Sequence, residues 1–372
     1  MKKAIILCND FASRMIDRVE MVAKMHDYEI QPYCGRVFDG SINEYFSEDT
    51  AICLPIEASR NNTNPFVELR SLCSVKKVIK QNKIDSAIIY GVKNHAAMAI
   101  GARLGGAKNI LCVVNGSGNL FRLGGIKGKL LRLMSFPLLR KAYKISKTIC
   151  FQNPDDEELF LRKKLIKEKY RHKCFVTGGS GINLDKFCVT PLPEENNFLF
   201  LARITPSKGV FDFIKAAKIV KKAYPDAVFD IVGPLDKAVE SCNETLLQEA
   251  IDAEIIRYHG VTDDVPSWMA RCRYFVYPSF YPEGVPRCAM QAIASGRPII
   301  TCSTPGCKET VIDGVNGFMV LPRDPQQIAE NMIWMIEHPS EVEQMATKSR
   351  ELAEERFDVN KINELLIERL IK

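Results

Sequence analysis

The stretch "YPEGVPRCAMQAIASGRPII" (281–300) connects a loop, a short helix and an apolar strand. Pro286 is expected at the first helical position, and Gly296 follows the end of the helix. Glu283 then lies in the loop at the positive end of the helix, and Gln291 lies about a turn and a half inside it. An acid, a helix N-terminus and an amide therefore converge, either to bind a ligand or only to satisfy the helix dipole.

Apolar strands and helical patterns alternate in the same way along the rest of the chain. Strands separated by helices are typical of parallel sheets that are covered by helices on both faces. The acidic, proline-containing stretch 190–197 interrupts the alternation and is interpreted as a linker. The fold class expected is therefore α/β, with two doubly wound, Rossmann-like domains that face one another across a cleft and bind ligands at their strand carboxyl ends.

Individual elements follow from the apolar runs and their periodicity. Strands are expected at 2–8, 28–34, 86–90, 109–114, 148–152 and 174–178, and after the linker at 198–203, 227–233, 255–260, 274–279, 298–302 and 317–320. Helices are expected at 11–26, 66–82, 94–105, 128–147, 154–164, 209–223 and 340–371, among others.

Composition narrows the class of protein. A chain of 372 residues with 46% hydrophobic and 26% charged residues is typical of a globular protein with two domains. Neither a membrane-spanning segment nor a signal peptide is expected. The 13 cysteines form no CxxC pair and the five histidines are isolated from other ligand types, so we expect reduced thiols in a cytoplasmic protein and no metal site.

Charge is distributed unevenly along the chain. Residues 1–190 carry 31 Lys and Arg against 18 Asp and Glu, whereas the remainder carries 20 against 27. The first half is therefore expected to meet an anionic partner. The stretch 122–147 has eight cations, no acid and many leucines, which suits either an anionic membrane surface or a core helix with solvated cations. Nucleic acid is disfavoured because aromatic residues are not interleaved with the cations.

Two further clusters follow expected strand ends. Arg203 and Lys208 lie in an expected strand–loop–helix turn. Two cations at a helix N-terminus can bind a diphosphate, although solvated surface cations are the simpler alternative. "VVNGSGNLF" (113–121) is a glycine-rich strand exit in the first domain, which is a weak signal by itself.

Taken together, these motifs resemble a known family. Arg203 and Lys208 are followed by "GVTDDVPSWMARCRYFVYPS" (260–279), "EGVPRCAMQAIASGRPII" (283–300) and "PGCKETVIDGVNGFMV" (305–320). This order is similar to the donor domain of a retaining GT-B glycosyltransferase of family 4, the glycogen-synthase-like group. With "VNGSGNLF", "FQNPDDEELF" (151–160) and "GGSGINLDKF" (178–187), the first domain resembles the family-4 enzymes of bacterial capsule and O-antigen assembly.

The resemblance covers about residues 85–340, and the first eighty residues match only in their alternation of strands and helices. It implies an acceptor-binding domain at 1–193, a donor-binding domain at 194–355 and a C-terminal helix at 356–372 that packs back on the first domain. It also implies transfer from a nucleotide sugar, expected to be UDP-linked, to a polyprenyl-diphosphate-linked saccharide, at the inner face of the cell membrane and with no cofactor.

The resemblance implies roles for individual residues. Arg203 and Lys208 would neutralise the donor diphosphate as it leaves, and Glu283 would bind hydroxyls of the transferred sugar. The family's second acid, which holds the ribose, is Gln291 here, so a neutral hydrogen bond replaces a charge-assisted one and weaker donor binding is expected. The remaining expected contacts are Gly233, Val261, Gly284, Val285 and Pro286 on the donor side, and Lys93, His95, Asn115, Gly116 and Gly118 on the acceptor side.

Two other functions are compatible with this scaffold. One is a nucleotide-sugar epimerase or hydrolase, which would need an acid–base set in the first domain that the sequence does not provide. The other is a non-catalytic partner that lost activity when the second acid became Gln291.

Overall fold

The computed structural model describes residues 1–8, 19–37, 50–57, 65–122, 124–235 and 243–372, without the side chains of Pro65, Asn119, Arg122 and Lys127. The chain forms two compact units, one of Met1–Ser180 with Val359–Lys372 and one of Gly181–Asp358. Residues 181–193, which were expected to end the first domain, thus belong to the second unit.

The first unit contains a seven-stranded sheet in the order β3-β2-β1-β4-β5-β6-β7, and every strand pair is parallel. Side chains that alternate along its strands pack into two separate clusters, so apolar residues cover both faces of the sheet. The strands are β1 (Lys2–Leu7), β2 (Ile30–Val37), β3 (Ile52–Ile56), β4 (Ser86–Tyr90), β5 (Asn109–Val114), β6 (Thr148–Phe151) and β7 (Cys174–Val176).

The second unit contains a six-stranded parallel sheet in the order β10-β9-β8-β11-β12-β13. A single large core surrounds it. The two parallel sheets confirm the α/β fold class. The strands are β8 (Asn197–Leu201), β9 (Val228–Val232), β10 (Arg257–Tyr258), β11 (Tyr274–Tyr277), β12 (Ile299–Cys302) and β13 (Gly317–Val320).

Helices connect the strands, and no helix among the described residues combines the length and apolar character needed to cross a bilayer. The helix expected at 11–26 begins outside the described residues, and the one expected at 340–371 is two helices. The helices are α1 (Val19–Asp27), α2 (Pro65–Asn82), α3 (Val92–Gly105), α4 (Asn119–Arg122), α5 (Gly125–Ile145), α6 (Pro154–Arg162), α7 (Val210–Ala223), α8 (Glu244–Asp252), α9 (Val265–Arg271), α10 (Arg287–Ala294), α11 (Pro325–Glu337), α12 (Pro339–Arg356) and α13 (Val359–Ile371).

Helix α13 completes the first unit. It packs against α1 and against strands β4, β5 and β6. Its apolar side chains enter the same core cluster as Tyr90 and Cys150 of those strands. The buried apolar side chains of α13 are Val359, Ile362, Leu366, Ile367 and Leu370.

Each sheet has one position where consecutive connections leave in opposite directions. In the first sheet it lies between β1 and β4, and in the second between β8 and β11. Ligands of open α/β sheets bind at the carboxyl ends of the strands at such a switch point. The loops that follow β8 and β11 are therefore the first place to look for a site in the second unit.

Candidate functional site

The loops after β8 and β11 are bonded to one another at the switch point of the second sheet. The Phe280 amide donates to the Ser207 carbonyl at 3.0 Å, and Thr304 donates to the Ser279 carbonyl at 2.9 Å. Three loops, those after β8, β11 and β12, thus form one connected rim. This rim holds Lys208, Glu283 and their partners in place.

Lys208 and Glu283 meet on this rim. The Lys208 Nζ donates to Glu283 Oε2 at 2.7 Å, and the two side chains are only 9% and 18% exposed. Glu283 Oε1 accepts from the Tyr277 hydroxyl at 2.8 Å and from the Ser279 hydroxyl at 3.0 Å. The Lys208 Nζ also lies 4.9 Å from the Tyr281 ring centroid. We call Lys208, Tyr277, Ser279 and Glu283 the Glu283 network.

Two glycines allow the loops of the network to pack backbone against backbone. Gly209, with φ +82°, is so close to Pro278 that a Cβ would lie 2.2 Å from its carbonyl oxygen. A Cβ on Gly306, with φ +82°, would lie 1.5 Å from the Gly284 carbonyl oxygen. A side chain at either position would displace a loop that carries Lys208 or Glu283, so glycine is required there.

Arg203 lies on the same loop as Lys208, two residues after the end of β8. Its backbone nitrogen is next to Gly233, which follows β9 and whose amide donates to the Gly260 carbonyl at 2.7 Å. Val261 comes next in that loop and is exposed. The structure therefore brings Arg203, Gly233 and the 260–261 loop together at the strand ends.

Helix α10 begins beside Glu283, although one residue later than expected. Pro286 is the N-cap, and the first helical residue is Arg287. Gly284 and Val285 are buried in the loop between Glu283 and the cap. Gln291 lies in the second turn of α10 and is 8% exposed. Its side-chain amide offers two donors and an acceptor that a ligand could use.

The expected acceptor-side residues all lie in the first unit. Lys93 is in the first turn of α3, directly after β4 at the switch point of the first sheet. It is partly exposed and pairs with Glu68 at 3.9 Å. Burial lowers the pKa of Lys93, and the charge of Glu68 opposes that change. Lys93 is therefore placed where it can meet a ligand.

His95 is not at the surface, contrary to its assignment as an acceptor-side contact. It is fully buried, and burial lowers its pKa to about 4. Its Nδ1 lies 3.0 Å from the Tyr143 hydroxyl, and its Nε2 lies 3.1 Å from the Val113 carbonyl. His95 is thus a neutral core residue that joins α3 to β5 and α5, because its position on the helix faces the sheet.

The glycine-rich strand exit follows β5. Gly116 and Gly118 both have positive φ, which turns the chain sharply after the strand. The buried Oδ1 of Asn115 has no hydrogen-bond partner among the described residues. The loop therefore leaves one polar group that a ligand could satisfy.

Sequence reasoning missed Tyr277 and Ser279, which read as the end of an apolar strand. Their short spacing could have indicated a contact, since Ser279 precedes Glu283 by four residues and Tyr277 precedes it by six on the same strand–loop turn. His, Cys, Asp and Glu side chains form no cluster of three suited to a metal within the described ranges.

Sequence comparison identifies relatives of both units. A family model described as glycosyl transferases group 1 matches residues 185–352. The chain is 27% identical over 295 residues to the N,N'-diacetylbacillosaminyl-diphospho-undecaprenol alpha-1,3-N-acetylgalactosaminyltransferase of Campylobacter jejuni, covering 76% of this chain and 75% of that protein. It is 26% identical over 300 residues to the UDP-Gal:alpha-D-GlcNAc-diphosphoundecaprenol alpha-1,3-galactosyltransferase of Escherichia coli, covering 76% and 73%.

Solved structures share the fold at low sequence identity. HepE of Anabaena in complex with UDP has a TM-score of 0.78 and 17% identity, with 100% of this chain and 99% of that chain covered. The sucrose-phosphate synthase of Thermosynechococcus elongatus has a TM-score of 0.80 and 15% identity, with 99% and 98% covered. Residues 185–352 thus match the glycosyl transferases group 1 model, and the chain has the GT-B fold of these neighbours.

Proposed function

We propose that the protein is a glycosyltransferase that moves a sugar from a UDP-sugar to a polyprenyl-diphosphate-linked saccharide. The observation that carries this proposal is the buried Lys208–Glu283 pair at the β8–β11 switch point of a group 1 domain. The pair offers a cation for a phosphate and a carboxylate for sugar hydroxyls at one position.

The two cations, Arg203 and Lys208, are assigned to the diphosphate that leaves. Cleavage of the bond between the anomeric carbon and the phosphate oxygen places negative charge on the departing nucleotide diphosphate. Lys208, Arg203 and the N-terminus of α10 stabilise that charge, as preorganised donors do at other sites of charge development. HepE in complex with UDP and with UDP-glucose supports a uridine nucleotide as donor.

The finer features of the reaction follow the resemblance to family 4. We infer retention of the anomeric configuration, with the acceptor attacking the face that the diphosphate leaves and a phosphate oxygen taking the acceptor's proton. No protein nucleophile and no metal take part in this scheme. The names of the C. jejuni and E. coli relatives support an undecaprenyl-diphosphate-linked acceptor and a role in cell-surface glycan assembly.

The acceptor side includes Lys93 and the loop 115–118 in the first unit. Lys93 is partly exposed at a strand exit and can neutralise an acceptor phosphate. The buried Oδ1 of Asn115 can accept from an acceptor hydroxyl. His95 is excluded from this set by its burial.

A surface on α5 supports action at a membrane. Five apolar side chains, each at least half exposed, follow the helical repeat along one face of the first four turns. We call them the α5 apolar face. Water-exposed apolar area of this kind is typical of interfacial helices. Its members are Ile126, Leu130, Leu133, Met134 and Leu138.

Cations continue the same face toward the end of α5. Arg140, Lys141 and Lys144 are exposed, whereas Leu139, Ala142 and Tyr143 on the opposite face are buried. Apolar side chains that enter the lipid and cations that meet acidic headgroups together favour an anionic bilayer surface. We therefore propose a peripheral location at the inner face of the cell membrane, where a lipid-linked acceptor is found.

Vesicle flotation tests the membrane surface. The protein should float with vesicles of phosphatidylcholine and phosphatidylglycerol and much less with phosphatidylcholine alone. Ile126→Ser with Leu133→Ser should reduce vesicle binding about tenfold or more, because two apolar side chains no longer enter the lipid. Leu321→Ser removes an equally exposed leucine from the second unit and should have no effect. Equal flotation of all variants would contradict the assignment of α5.

A donor screen tests the reaction itself. Purified protein is incubated with a panel of nucleotide sugars and a bacterial membrane lipid extract, and the products are detected by mass spectrometry. One sugar should be added to a polyprenyl-diphosphate lipid, and Arg203→Ala, Lys208→Ala and Glu283→Ala should each abolish the addition. Full turnover in all three variants would refute the site, and donor consumption without acceptor would identify an epimerase or hydrolase instead.

A further inference from the structure

The Glu283 network contains two hydroxyls to which the reaction above assigns no part. We propose that Tyr277 and Ser279 are positioning residues that fix the Glu283 carboxylate in the orientation that receives the hydroxyls of the transferred sugar. The inference rests on the proposed function, since it concerns how the same site recognises its donor.

The first argument for this role is the geometry of the Glu283 carboxylate. Both Glu283 oxygens are engaged, Oε1 by the two hydroxyls at 2.8 and 3.0 Å and Oε2 by Lys208 at 2.7 Å. A glutamate side chain has three rotatable bonds, and its rotamers are lost when it binds a ligand. Donors on both oxygens select one orientation before the sugar arrives, which reduces the entropy lost on binding.

The second argument is that both hydroxyls are buried. Tyr277 is 1% exposed and Ser279 is fully buried, so each hydroxyl would be costly to bury without a partner. If these side chains only filled the core, Phe at position 277 and Ala at position 279 would pack equally well without a hydroxyl. Burial raises the pKa of Tyr277 well above its usual value of 10.0, and the charge of Glu283 raises it further. The phenol therefore stays protonated and donates to the carboxylate.

The backbone under the network is fixed as well. The Tyr277 carbonyl accepts from Thr301 at 2.7 Å, and the Ser279 carbonyl accepts from Thr304 at 2.9 Å. Thr301 belongs to β12 and Thr304 to the loop after it, so the backbone that carries the two hydroxyls is held by a neighbouring strand and its loop. The Ser279 hydroxyl also accepts from the Tyr281 amide at 3.3 Å, so Tyr277→Phe is the change that alters Glu283 without removing a bond to the loop that carries it.

The test measures how strongly the protein prefers a UDP-sugar to UDP. Tyr277→Phe, Ser279→Ala, Glu283→Gln and the double variant Tyr277→Phe/Glu283→Gln are titrated with UDP and with the UDP-sugar that the donor screen selects. UDP should bind Tyr277→Phe and Ser279→Ala within about twofold of the unchanged protein. Each variant that carries Glu283→Gln is compared with its own UDP affinity, because loss of the carboxylate beside Lys208 changes diphosphate binding. The preference for the UDP-sugar should fall about tenfold in Tyr277→Phe and Ser279→Ala, as expected when a hydrogen bond to a charged group is lost.

The double variant separates a positioning role from a structural one. If Tyr277 acts through Glu283, its change should add less than about twofold once the carboxylate has become an amide. The kcat of Tyr277→Phe should fall with kcat/KM for the donor, because orientation is needed in the transition state. Tyr277→Phe keeps the buried ring, so its melting temperature shows whether the fold is intact.

Tyr224→Phe is the matched control. Its hydroxyl donates to the Glu337 carboxylate at 2.6 Å in the same unit, and Glu337 is not part of the Glu283 network. Both the UDP-sugar preference and the kcat of this variant should be unchanged. The control thus removes a tyrosine–glutamate hydrogen bond without touching the network.

The outcomes distinguish this inference from the proposed function. If Glu283→Gln loses the UDP-sugar preference but Tyr277→Phe and Ser279→Ala keep it, the positioning role is wrong and the glycosyltransferase site stands. If Tyr277→Phe has the same effect with or without the Glu283 carboxylate, the positioning role is also wrong. If Glu283→Gln itself keeps full preference and turnover, both the site assignment and the inference fail.

Discussion

At the scale of single residues, Gln291 is the clearest departure from the family pattern. Gln291 lies in the second turn of α10 and is 8% exposed. Gln291→Glu should tighten UDP binding about fivefold, because a carboxylate accepts from a ribose hydroxyl more strongly than an amide does. Calorimetric titration with UDP measures the change.

Gln81→Glu introduces the same charge on the exposed face of α2 and should leave UDP affinity unchanged. If Gln291→Glu binds UDP no better than the unchanged protein, Gln291 does not hold the ribose. The neutral side chain at position 291 would then serve a different contact.

His95 makes stability depend on pH. Burial lowers its pKa from 6.5 to about 4, so below pH 6.5 the unfolded chain binds a proton that the folded chain excludes. The stabilisation is complete above pH 6.5 and is lost as pH falls toward 4, at a cost of about 2 kcal/mol by about pH 5.

Urea unfolding at pH 7 and pH 5 measures this dependence. His95→Gln should lower stability at pH 7 but lose less stability between the two values, because the titrating group is gone. His172→Gln changes an exposed histidine and should keep the pH dependence of the unchanged protein. Equal pH dependence in all three proteins would show that His95 titrates normally.

Sequence reasoning located one half of the Glu283 network and missed the other. Glu283 and Lys208 stand out because each follows an expected strand end, where a charged side chain can bind a ligand. Tyr277 and Ser279 do not stand out, because a buried tyrosine and serine at a strand end look like ordinary core residues. Only the folded loop shows that their hydroxyls reach the carboxylate.

At the scale of elements, most strands followed from the sequence, whereas one edge strand of the first sheet did not. The expected strands at 86–90, 109–114 and 317–320 match the observed ones residue for residue. Strand β3 was not expected; it is a five-residue edge strand that contains Pro55, and a strand tolerates proline where a ladder hydrogen bond is dispensable. Strand β10, expected at 255–260, is two residues long at the other sheet's edge.

Helix α13 should be essential for the stability of the first unit. Leu366 is 3% exposed in the core cluster that α13 shares with α1 and the strands. Leu366→Ala should lower the free energy of unfolding by about 2–4 kcal/mol, since a cavity replaces most of the side chain. Leu366→Met keeps the volume and should cost less than about 1.5 kcal/mol.

Chemical denaturation compares the two Leu366 variants with the unchanged protein. The difference between alanine and methionine isolates the cavity from any effect of changing the residue type. If alanine costs no more than methionine, α13 does not belong to the cooperative core of the first unit.

At the scale of the whole molecule, the second unit is one continuous segment that contains the entire proposed donor site. Arg203, Glu283 and Gln291 all lie within Gly181–Asp358, which has its own core. A fragment of residues 181–358 should therefore unfold cooperatively and bind UDP. Calorimetry on the fragment measures binding, and Lys208→Ala in the same fragment should weaken it about tenfold or more.

A fragment that folds but does not bind UDP would show that the donor site needs residues from outside the second unit. The complementary fragment, residues 1–180 without α13, should be less stable than the intact first unit, because α13 covers part of its core.

The first unit is assembled from two stretches that are far apart in the chain, Met1–Ser180 and Val359–Lys372. During translation, the N-terminal stretch leaves the ribosome long before its closing helix has been made. The part of the nascent N-terminal core that α13 packs against therefore stays uncovered until the whole intervening unit has been synthesised. Folding in the cell thus reverses the usual order, since the second unit can finish before the first.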